Sequence, residues 1–345
     1  MVIIRSLLVV LLATSLFSTT CNGKKKIGKP IKHDHMRKKP QTNAIIDIQA
    51  FGAKGDGLSD DTQINGEVRA SKDISDYKED RRHWLLFQNM ENFIVEGVGS
   101  IHGNGQVWWK RSCKVDKTIP CNAKTLTVPT AMSFYNCTNL TVRNLEFKNP
   151  QKMHLTITKS VFVEVSRLKI TAPADSPNTD GIHVSGTTDI DIHHSYIETG
   201  DDCISIVNGS TNVRARYILC GPGHGISIGS LGKNKEEDIV SNIYVHDATL
   251  RGTTNGLRIK SWQKEAVHVS NIMYKNIKGT SSTQTAIKLN CSKTVPCKGI
   301  QMENVNIRHQ GGATVKALCA NVKYTTKGVL FPKCPSRRPW AFLWN

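Results

Sequence analysis

The chain has 345 residues, of which 46 are lysine or arginine and 28 are aspartate or glutamate, so its formal net charge is +18. A basic surface attracts polyanions, which makes nucleic acid and acidic polysaccharide the two candidate ligands. The sequence has no helix-turn-helix, zinc-finger or aromatic RNA-binding signature, and this argues against nucleic acid.

The first 23 residues are typical of a signal peptide. Arg5 precedes an apolar run at 7–17, and about 11 apolar residues are too few to span a bilayer. No later run is long and apolar enough for a membrane helix, so we expect an exported protein that is free of the membrane. Residues 24–43 are basic and lack a hydrophobic period, which predicts a disordered tail or pro-segment.

The next region, 44–334, repeats a short unit and is predicted to form one domain. NFIV, NLTV, DIDI, NVRA and NIYV, which begin at positions 92, 139, 189, 212 and 242, place apolar residues at alternate positions after Asn or Asp. This pattern indicates short strands, and helical periodicity is almost absent. A repeat of about 23 to 33 residues favours stacked coils, so we predict an all-β, single-stranded right-handed parallel β-helix. Residues 335–345 are predicted to be a C-terminal tail.

The repeated asparagines would stack at the turns of such a fold. Side-chain ladders would result, although ordinary turn asparagines would give the same sequence pattern. Four of the asparagines, Asn136, Asn139, Asn208 and Asn290, begin glycosylation sequons that an exported protein could use.

The cysteines are typical of an oxidising compartment. Cys21 belongs to the predicted leader, and Cys137 in the run AMSFYNCTNL is predicted to be a buried free thiol. The chain has no CxxC pair and no HxxxH spacing, so a metal site is only weakly supported. The predicted local disulfides are Cys113–Cys121, Cys203–Cys220, Cys291–Cys297 and Cys319–Cys334.

Acidic residues and a histidine recur at one interval. Asp180, Asp202 and His224 are 22 residues apart each, and Asp201 adjoins the second. This interval is about one coil of a β-solenoid, and neighbouring strands lie roughly 4.8 Å apart, so the side chains should share one face. Mutual repulsion among three carboxylates should raise the pKa of one enough to hold a proton. An inverting glycosidase needs such an acid and a second carboxylate that activates water.

Two cations follow these acids. Arg258 and Lys260 alternate along a predicted strand, so both point to one side, where they could bind the carboxylate of an acidic sugar. His224 could support the acid or bind the sugar. Each motif alone is common in ordinary turns or solvated strands, and their order and spacing carry the glycosidase hypothesis.

The same motifs carry a family resemblance. NTDG at 178–181, GDDC at 200–203, GHG at 223–225 and RIK at 258–260 resemble, in order, the signature motifs of the polygalacturonases of glycoside hydrolase family 28. The segments CGPGHGISIGSLG and NIKGTS are similar to the plant branch, and the resemblance covers 46–334. It implies a cell-wall enzyme that hydrolyses the α-1,4-galacturonosyl linkages of pectin (homogalacturonan) with inversion, without metal or other cofactor. We expect the protein to be secreted and monomeric.

The resemblance also implies a role for each motif residue. Asp201 would be the general acid, Asp180 and Asp202 would activate the water, and His224 would support the acid. Asn178, Arg258 and Lys260 would hold the substrate. The sequence leaves endo and exo action open.

The sequence departs from the family at two junctions. Gln63 joins Ile64 where relatives have an N-terminal helix and the first coils. Gln263 passes almost directly to Ala266 where relatives have a further coil with a substrate-contacting tyrosine. We interpret the chain as a shortened polygalacturonase, and the alternative is a catalytically impaired form that binds pectic polyanions. A β-helical pectate lyase would need a calcium site and an arginine base, which the four motifs fit less well.

Overall fold

The computed structural model describes residues 63–77, 81–122, 127–232, 237–262 and 267–335. The predicted leader at 1–23, the basic segment at 24–43 and nearly all of the predicted tail at 335–345 lie outside these residues, so the domain bounds stay predictions. The described chain contains a 3-10 turn at Ile74–Asp76 and one short helix, α1, at Gln106–Trp109. No helix of the described residues is both long and apolar enough to cross a membrane.

Twenty-five strands make up the rest of the regular structure in the described residues. In chain order they are β1 (Glu67–Arg69), β2 (His83–Gln88), β3 (Glu91–Glu96), β4 (Ser100–His102), β5 (Thr130–Tyr135), β6 (Thr138–Arg143), β7 (Glu146–Lys148), β8 (Leu155–Thr158), β9 (Val161–Ser166), β10 (Lys169–Thr171), β11 (Ile182–Ser185), β12 (Thr188–His193), β13 (Tyr196–Glu198), β14 (Asp202–Ile206), β15 (Thr211–Arg216), β16 (Leu219–Cys220), β17 (Gly225–Leu231), β18 (Asp238–His246), β19 (Thr249–Thr253), β20 (Leu257–Ser261), β21 (Val267–Ser281), β22 (Thr285–Asn290), β23 (Cys297–His309), β24 (Lys316–Ala320) and β25 (Val322–Phe331).

These strands pair in parallel into two sheets. The nine-stranded sheet takes every third strand from β2 to β20 and then β22 and β24, in the order β2-β5-β8-β11-β14-β17-β20-β22-β24. The other sixteen strands form the second sheet, in which each of β6, β9, β12 and β15 pairs with the equivalent strand one coil away. Each coil therefore contributes to both sheets, and the fold is the predicted right-handed parallel β-helix.

The core is a column of stacked aliphatic side chains. In the nine-stranded sheet Ile182, Ile204, Ile226, Leu257 and Ile287 occupy matching positions of five successive coils. Each is at most 1% exposed, and burying one such side chain stabilises the fold by about 1.5–3 kcal/mol. Alternating residues on the same strands point outward, which places polar side chains on the outer face of the sheet.

Side-chain amides stack along a corner of the coil. Asn212 Nδ2 donates to Asp189 Oδ1 at 2.8 Å, and Asn242 Nδ2 donates to Asn212 Oδ1 at 3.1 Å. All three residues have left-handed backbone conformations, with φ between 54° and 58°, which Asn and Asp adopt more readily than other non-glycine residues. The asparagines of the sequence repeat thus form ladders as well as turns.

The cysteine pairs lie within the stack. The structure contains disulfides between Cys113 and Cys121, Cys203 and Cys220, Cys291 and Cys297, and Cys319 and Cys334. Cys137 is buried and unbonded to another cysteine, and burial raises the pKa of its thiol.

The sheets continue across the second sequence junction. Residues 263–266 lie outside the described chain, but β18 pairs directly with β21 on the other side, with Asp238 opposite Val267. Likewise β20 pairs with β22. At the first junction Ile64 is buried, and its amide donates to the Glu96 carbonyl at 2.8 Å. The described coils therefore stack without a break beside the second junction, and the described chain that follows the first junction pairs with the next coil.

Candidate active site

The acidic motifs lie at the start of neighbouring strands of the nine-stranded sheet. Asp180 precedes β11, Asp201 directly precedes β14, Asp202 begins it, and His224 precedes β17. The Gly181 amide donates to the Asp202 carbonyl at 2.9 Å, and the His224 amide donates to the Asp201 carbonyl at 2.7 Å. The 22-residue interval thus corresponds to one coil here, and the structure brings the three carboxylates and the imidazole together.

The glycines of the GHG motif permit this approach. Gly223 has φ +134°, and a Cβ at this position would lie 2.5 Å from the Asp201 carbonyl oxygen. Only glycine fits so close to a neighbouring backbone in that conformation. Gly223 therefore lets the coil of His224 lie directly against the coil of Asp201.

Asp201 is hydrogen-bonded to His224. The His224 Nδ1 atom lies 2.8 Å from Asp201 Oδ1, and the Asp202 amide donates to the same oxygen at 2.9 Å. Burial works to raise the pKa of Asp201, but the hydrogen bond and charge of His224, together with the amide, hold that pKa below its usual value. In the substrate-free site Asp201 is therefore ionised over most of the acid range.

The negative charge of Asp202 is balanced by two cations. Its buried carboxylate contacts the Arg258 guanidinium, and Oδ2 lies 3.5 Å from Lys260 Nζ. The Ser227 hydroxyl donates to Asp202 Oδ1 at 2.8 Å, and Arg258 Nε donates to Ser227 Oγ at 2.9 Å. Arg258, which the sequence places among the substrate-binding residues, is thus buried against Asp202, whereas the Lys260 side chain is 30% exposed.

Among the described residues, no cation forms an ion pair with Asp180. The Ser205 hydroxyl donates to its Oδ2 at 2.8 Å, and Ser205 Oγ in turn lies 2.8 Å from His183 Nδ1. Burial, and then the charges of Asp201 and Asp202, raise the pKa of Asp180 to about 7. Burial and the charge of Lys152 lower the pKa of His183 to about 4, so this imidazole is neutral in the working range of the acids. Burial raises the pKa of Asp180 more than the predicted repulsion among the carboxylates does. Asp180 therefore holds the proton in the substrate-free site.

Sequence reasoning missed Ser205, Ser227 and His183. The three residues occupy matching positions on β11, β14 and β17. A signal was present, because positions 183, 205 and 227 repeat the 22-residue interval of the acidic motifs, three residues further along the chain. Serine and histidine at such positions are common on solvated strands, and only the coil register shows that these reach the carboxylates.

The remaining predicted residue, Asn178, lies in the turn that leads to Asp180. It is half-buried and has φ +58°. On the other side of the acids, a groove of about 580 Å³ borders His224 and extends past Arg251 to Gln310. The groove gives an extended ligand access to the edge of the site.

A metal ion is poorly accommodated here. One donor atom each from Asp201, Asp202 and His224 lies within 4.8 Å of the others, which is compatible in distance with a cation site. Asp202 is already neutralised by Arg258 and Lys260, and these charges would repel a divalent cation. The arrangement favours acid–base chemistry by the carboxylates themselves.

The comparisons with known proteins decide the family. The family model of glycosyl hydrolases family 28 matches residues 40–278 and 263–329. The chain belongs to this family. It is a glycoside hydrolase, as the four motifs predict. Polygalacturonase QRT2 of Arabidopsis thaliana is 49% identical over 312 aligned positions, which cover 79% of this chain and 70% of that protein.

A second relative and a solved structure agree. A polygalacturonase of Malus domestica is 46% identical over 336 positions, covering 86% of this chain and 71% of the relative. The structure of the polygalacturonase from Erwinia carotovora ssp. carotovora aligns with a TM-score of 0.59 at 24% identity, covering 76% of this chain and 83% of that one. At this identity the structural likeness establishes the shared fold.

The same comparisons bear on the two junctions. The alignment with QRT2 has 312 positions but includes only 79% of the 345 residues here, so the relative has internal residues without a counterpart in this chain. The two matched segments of the family model overlap at 263–278, beside the second junction. Both observations support the interpretation of a family member that lacks internal segments.

Proposed function

We propose that this glycoside hydrolase cleaves the α-1,4-galacturonosyl linkages of homogalacturonan in pectin, with inversion at the anomeric carbon, as a secreted and monomeric cell-wall enzyme. The observation that carries the proposal is the joining of Asp180, Asp201 and Asp202 at one edge of the β-helix, with different partners for each carboxylate. The names of the relatives give the substrate class.

In this proposal Asp201 protonates the leaving oxygen. Its side chain is 16% exposed, against 3% for Asp202, so it is the more accessible of the two acids. Substrate binding excludes water and brings a galacturonate carboxylate close to the site. Both effects raise the pKa of Asp201. The proton that Asp180 holds in the free site is then available to Asp201 in the complex.

Asp202 and the deprotonated Asp180 would activate the attacking water. The water oxygen forms a bond with the anomeric carbon, the glycosidic bond breaks, and the proton of the water passes to a carboxylate. Asp201 gives its proton to the leaving oxygen, so the three acids hold one proton before and after the reaction. His224 would support Asp201 through the Nδ1 hydrogen bond.

The cations divide between two tasks in this scheme. Arg258 holds Asp202 in the ionised, oriented state that a base requires. Lys260, whose side chain is more exposed, would contact the galacturonate carboxylate. Asn178, at the turn before Asp180, would contact the substrate from the neighbouring coil.

The test is hydrolysis of polygalacturonate by the secreted chain, with Asp201→Asn as the inactive variant and Asp191→Asn as the matched control. Asp191 lies on β12 of the other sheet and pairs with Arg216, outside the site. We expect new reducing ends, the β-anomer as the first product by NMR, and no loss of activity with chelator. Unsaturated products that need calcium would show a lyase instead.

A second candidate function is polyanion binding without turnover. The missing internal segments, which relatives possess next to the RIK motif, favour it. Retained binding of polygalacturonate by a chain that releases no reducing ends, with activity gained when the segments are restored, would establish this alternative. Light scattering of the same preparation tests the proposed monomer.

A further inference from the structure

One corner of the β-helix contains an aromatic residue where all its neighbours are amides or acids. We name the matching left-handed residues of seven successive coils the corner column, with φ between 50° and 58° throughout. Its members are Asn92, Asn139, Phe162, Asp189, Asn212, Asn242 and Asn271. A left-handed conformation is unfavourable for a bulky side chain, and Phe162 is 60% exposed. Neither core packing nor turn preference explains this phenylalanine.

Phe162 also interrupts the amide ladder. Asn139 Nδ2 donates to Asn92 Oδ1 at 2.7 Å on one side, and Asn212 Nδ2 donates to Asp189 Oδ1 on the other. By register Phe162 lies between Asn139 and Asp189. A phenyl ring cannot continue the hydrogen bonds, so an apolar platform replaces one step of the ladder beside Asn139.

A groove of about 640 Å³ begins at this platform. It runs along the outer face of the sixteen-stranded sheet from Asn139 and Phe162 to Asn242 and Tyr244. The charged residues of its lining are Glu164, Asp189, Asp191 and Arg214, which are mainly acidic. A polyanion such as galacturonan would be repelled, whereas a neutral ligand with many hydroxyl groups matches the amides, carboxylates and aromatic rings.

Asn139 is a residue to which such a ligand can be covalently attached. It is exposed and begins the sequon Asn-Leu-Thr. The four disulfides indicate passage through an oxidising secretory compartment, where sequons are modified. We propose that Asn139 carries a neutral N-linked glycan whose first sugar packs on the ring of Phe162 and whose core lies in the groove.

The sugar donor for this attachment is a lipid-linked oligosaccharide. Asn139 Nδ2 forms a bond with the anomeric carbon of the first sugar, the bond from that carbon to the pyrophosphate oxygen breaks, and the lipid pyrophosphate leaves. The amide loses one proton and keeps the other. The remaining N–H is sufficient for the hydrogen bond from Asn139 to Asn92.

The other three sequons lack this environment. Asn136 is equally exposed and donates to Asn89 at 2.7 Å, but by register its neighbour on the next coil is Lys159. Asn208 accepts the Ile239 amide at 3.0 Å, and Asn290 is half-buried within β22. Asn136 is therefore the matched control, three residues away and with Lys159, not an aromatic residue, at the matching position of the next coil.

Glycopeptide mass spectrometry of the full chain, secreted from a eukaryotic host, tests occupancy. We expect a glycan on Asn139 that is lost in Asn139→Gln and retained in Asn136→Gln, with unchanged turnover of polygalacturonate in both. An unmodified Asn139 in the secreted chain would overturn the proposal, whether or not another sequon is occupied.

The packing on Phe162 is tested separately with Phe162→Asn, which restores the residue type of the corner column and leaves the sequon intact. We expect the glycan of this variant to be released by endoglycosidase at least several-fold faster under native conditions. We also expect deglycosylation to lower the melting temperature of the parent chain but not of the variant. Equal release rates and equal thermal shifts would show that the ring does not contact the glycan.

Discussion

Two serine hydroxyls connect the acids of the site to different partners. Ser205 and Ser227 occupy the same position on successive coils, and each donates to a carboxylate. Ser227 also accepts a hydrogen bond from the charged Arg258, whereas the partner of Ser205 is His183, which is neutral because its pKa is lowered. Equivalent hydroxyls thus connect Asp202 to a cation and Asp180 to a neutral ring, so the two carboxylates have different electrostatic surroundings on successive coils.

The pKa of Asp180 predicts an alkaline limit to activity. Because burial and neighbouring carboxylates raise this pKa to about 7, the site keeps its shared proton below that pH and loses it above. We therefore expect kcat/KM for polygalacturonate to fall as the pH rises through about 7. Initial rates at low substrate concentration over a pH series measure the limit.

Ser205→Ala tests the assignment of this limit to Asp180. The Ser205 hydrogen bond lowers the pKa of Asp180, so its removal should shift the alkaline limit upward by about one pH unit. Ser133→Ala is the control, because Ser133 makes the same 2.8 Å contact with His83 on β2 and β5, away from the acids. An unchanged limit in Ser205→Ala would assign it to another group.

The two cations of the RIK motif should behave differently on substitution. Arg258→Met leaves the buried Asp202 carboxylate without its guanidinium partner, so we expect about 3–5 kcal/mol less unfolding free energy and a large loss in kcat. Lys260→Met should mainly raise KM, because its side chain is more exposed. Denaturant unfolding and steady-state kinetics of both variants give the comparison. Equal effects on kcat and KM would contradict the division of tasks.

At the scale of the strands, one core residue carries an unused polar group. Tyr274 of β21 is fully buried, and within the described chain its hydroxyl has no hydrogen-bond partner. An unsatisfied buried hydroxyl is destabilising, so we expect Tyr274→Phe to raise the unfolding free energy by about 1 kcal/mol. Tyr196→Phe, which removes a hydroxyl bonded to Glu198, should not stabilise. Denaturant unfolding of both variants would detect the difference, and a less stable Tyr274→Phe would refute the expectation.

The strands and their stacking could be predicted from the sequence, because the period-two pattern and the 22-residue interval are both local signals. The partner of Arg258 could not be predicted from the sequence. Alternation fixes the side of the sheet on which Arg258 lies, but Asp202 is 56 residues away. The register across the one intervening strand, β17, decides that the guanidinium contacts it. The special position of Phe162 could not be predicted either, since only the register shows that it lies in a column of amide and acidic side chains.

At the scale of the whole molecule, a solenoid is stabilised by contacts between neighbouring coils, so its coils can stack where a segment is absent. On either side of residues 263–266 the pairs β18–β21 and β20–β22 are formed directly. Each coil therefore buries its aliphatic column against the next, although a relative has internal residues without a counterpart in this chain.

We accordingly expect a loop inserted at the second junction to change stability little. A five-residue Gly-Ser insertion between Lys264 and Glu265 lengthens the segment between the end of β20 at Ser261 and the start of β21 at Val267. Each doubling of a flexible loop costs only about 0.6 kcal/mol. The same insertion after Ile243, inside β18, would shift the following residues by an odd number and turn the buried Val245 outward. We expect one cooperative thermal transition near that of the parent for the first variant and loss of that transition for the second. If the junction insertion also abolished the transition, the close joining of the coils, and not the stacking of their neighbours alone, would be required for the fold.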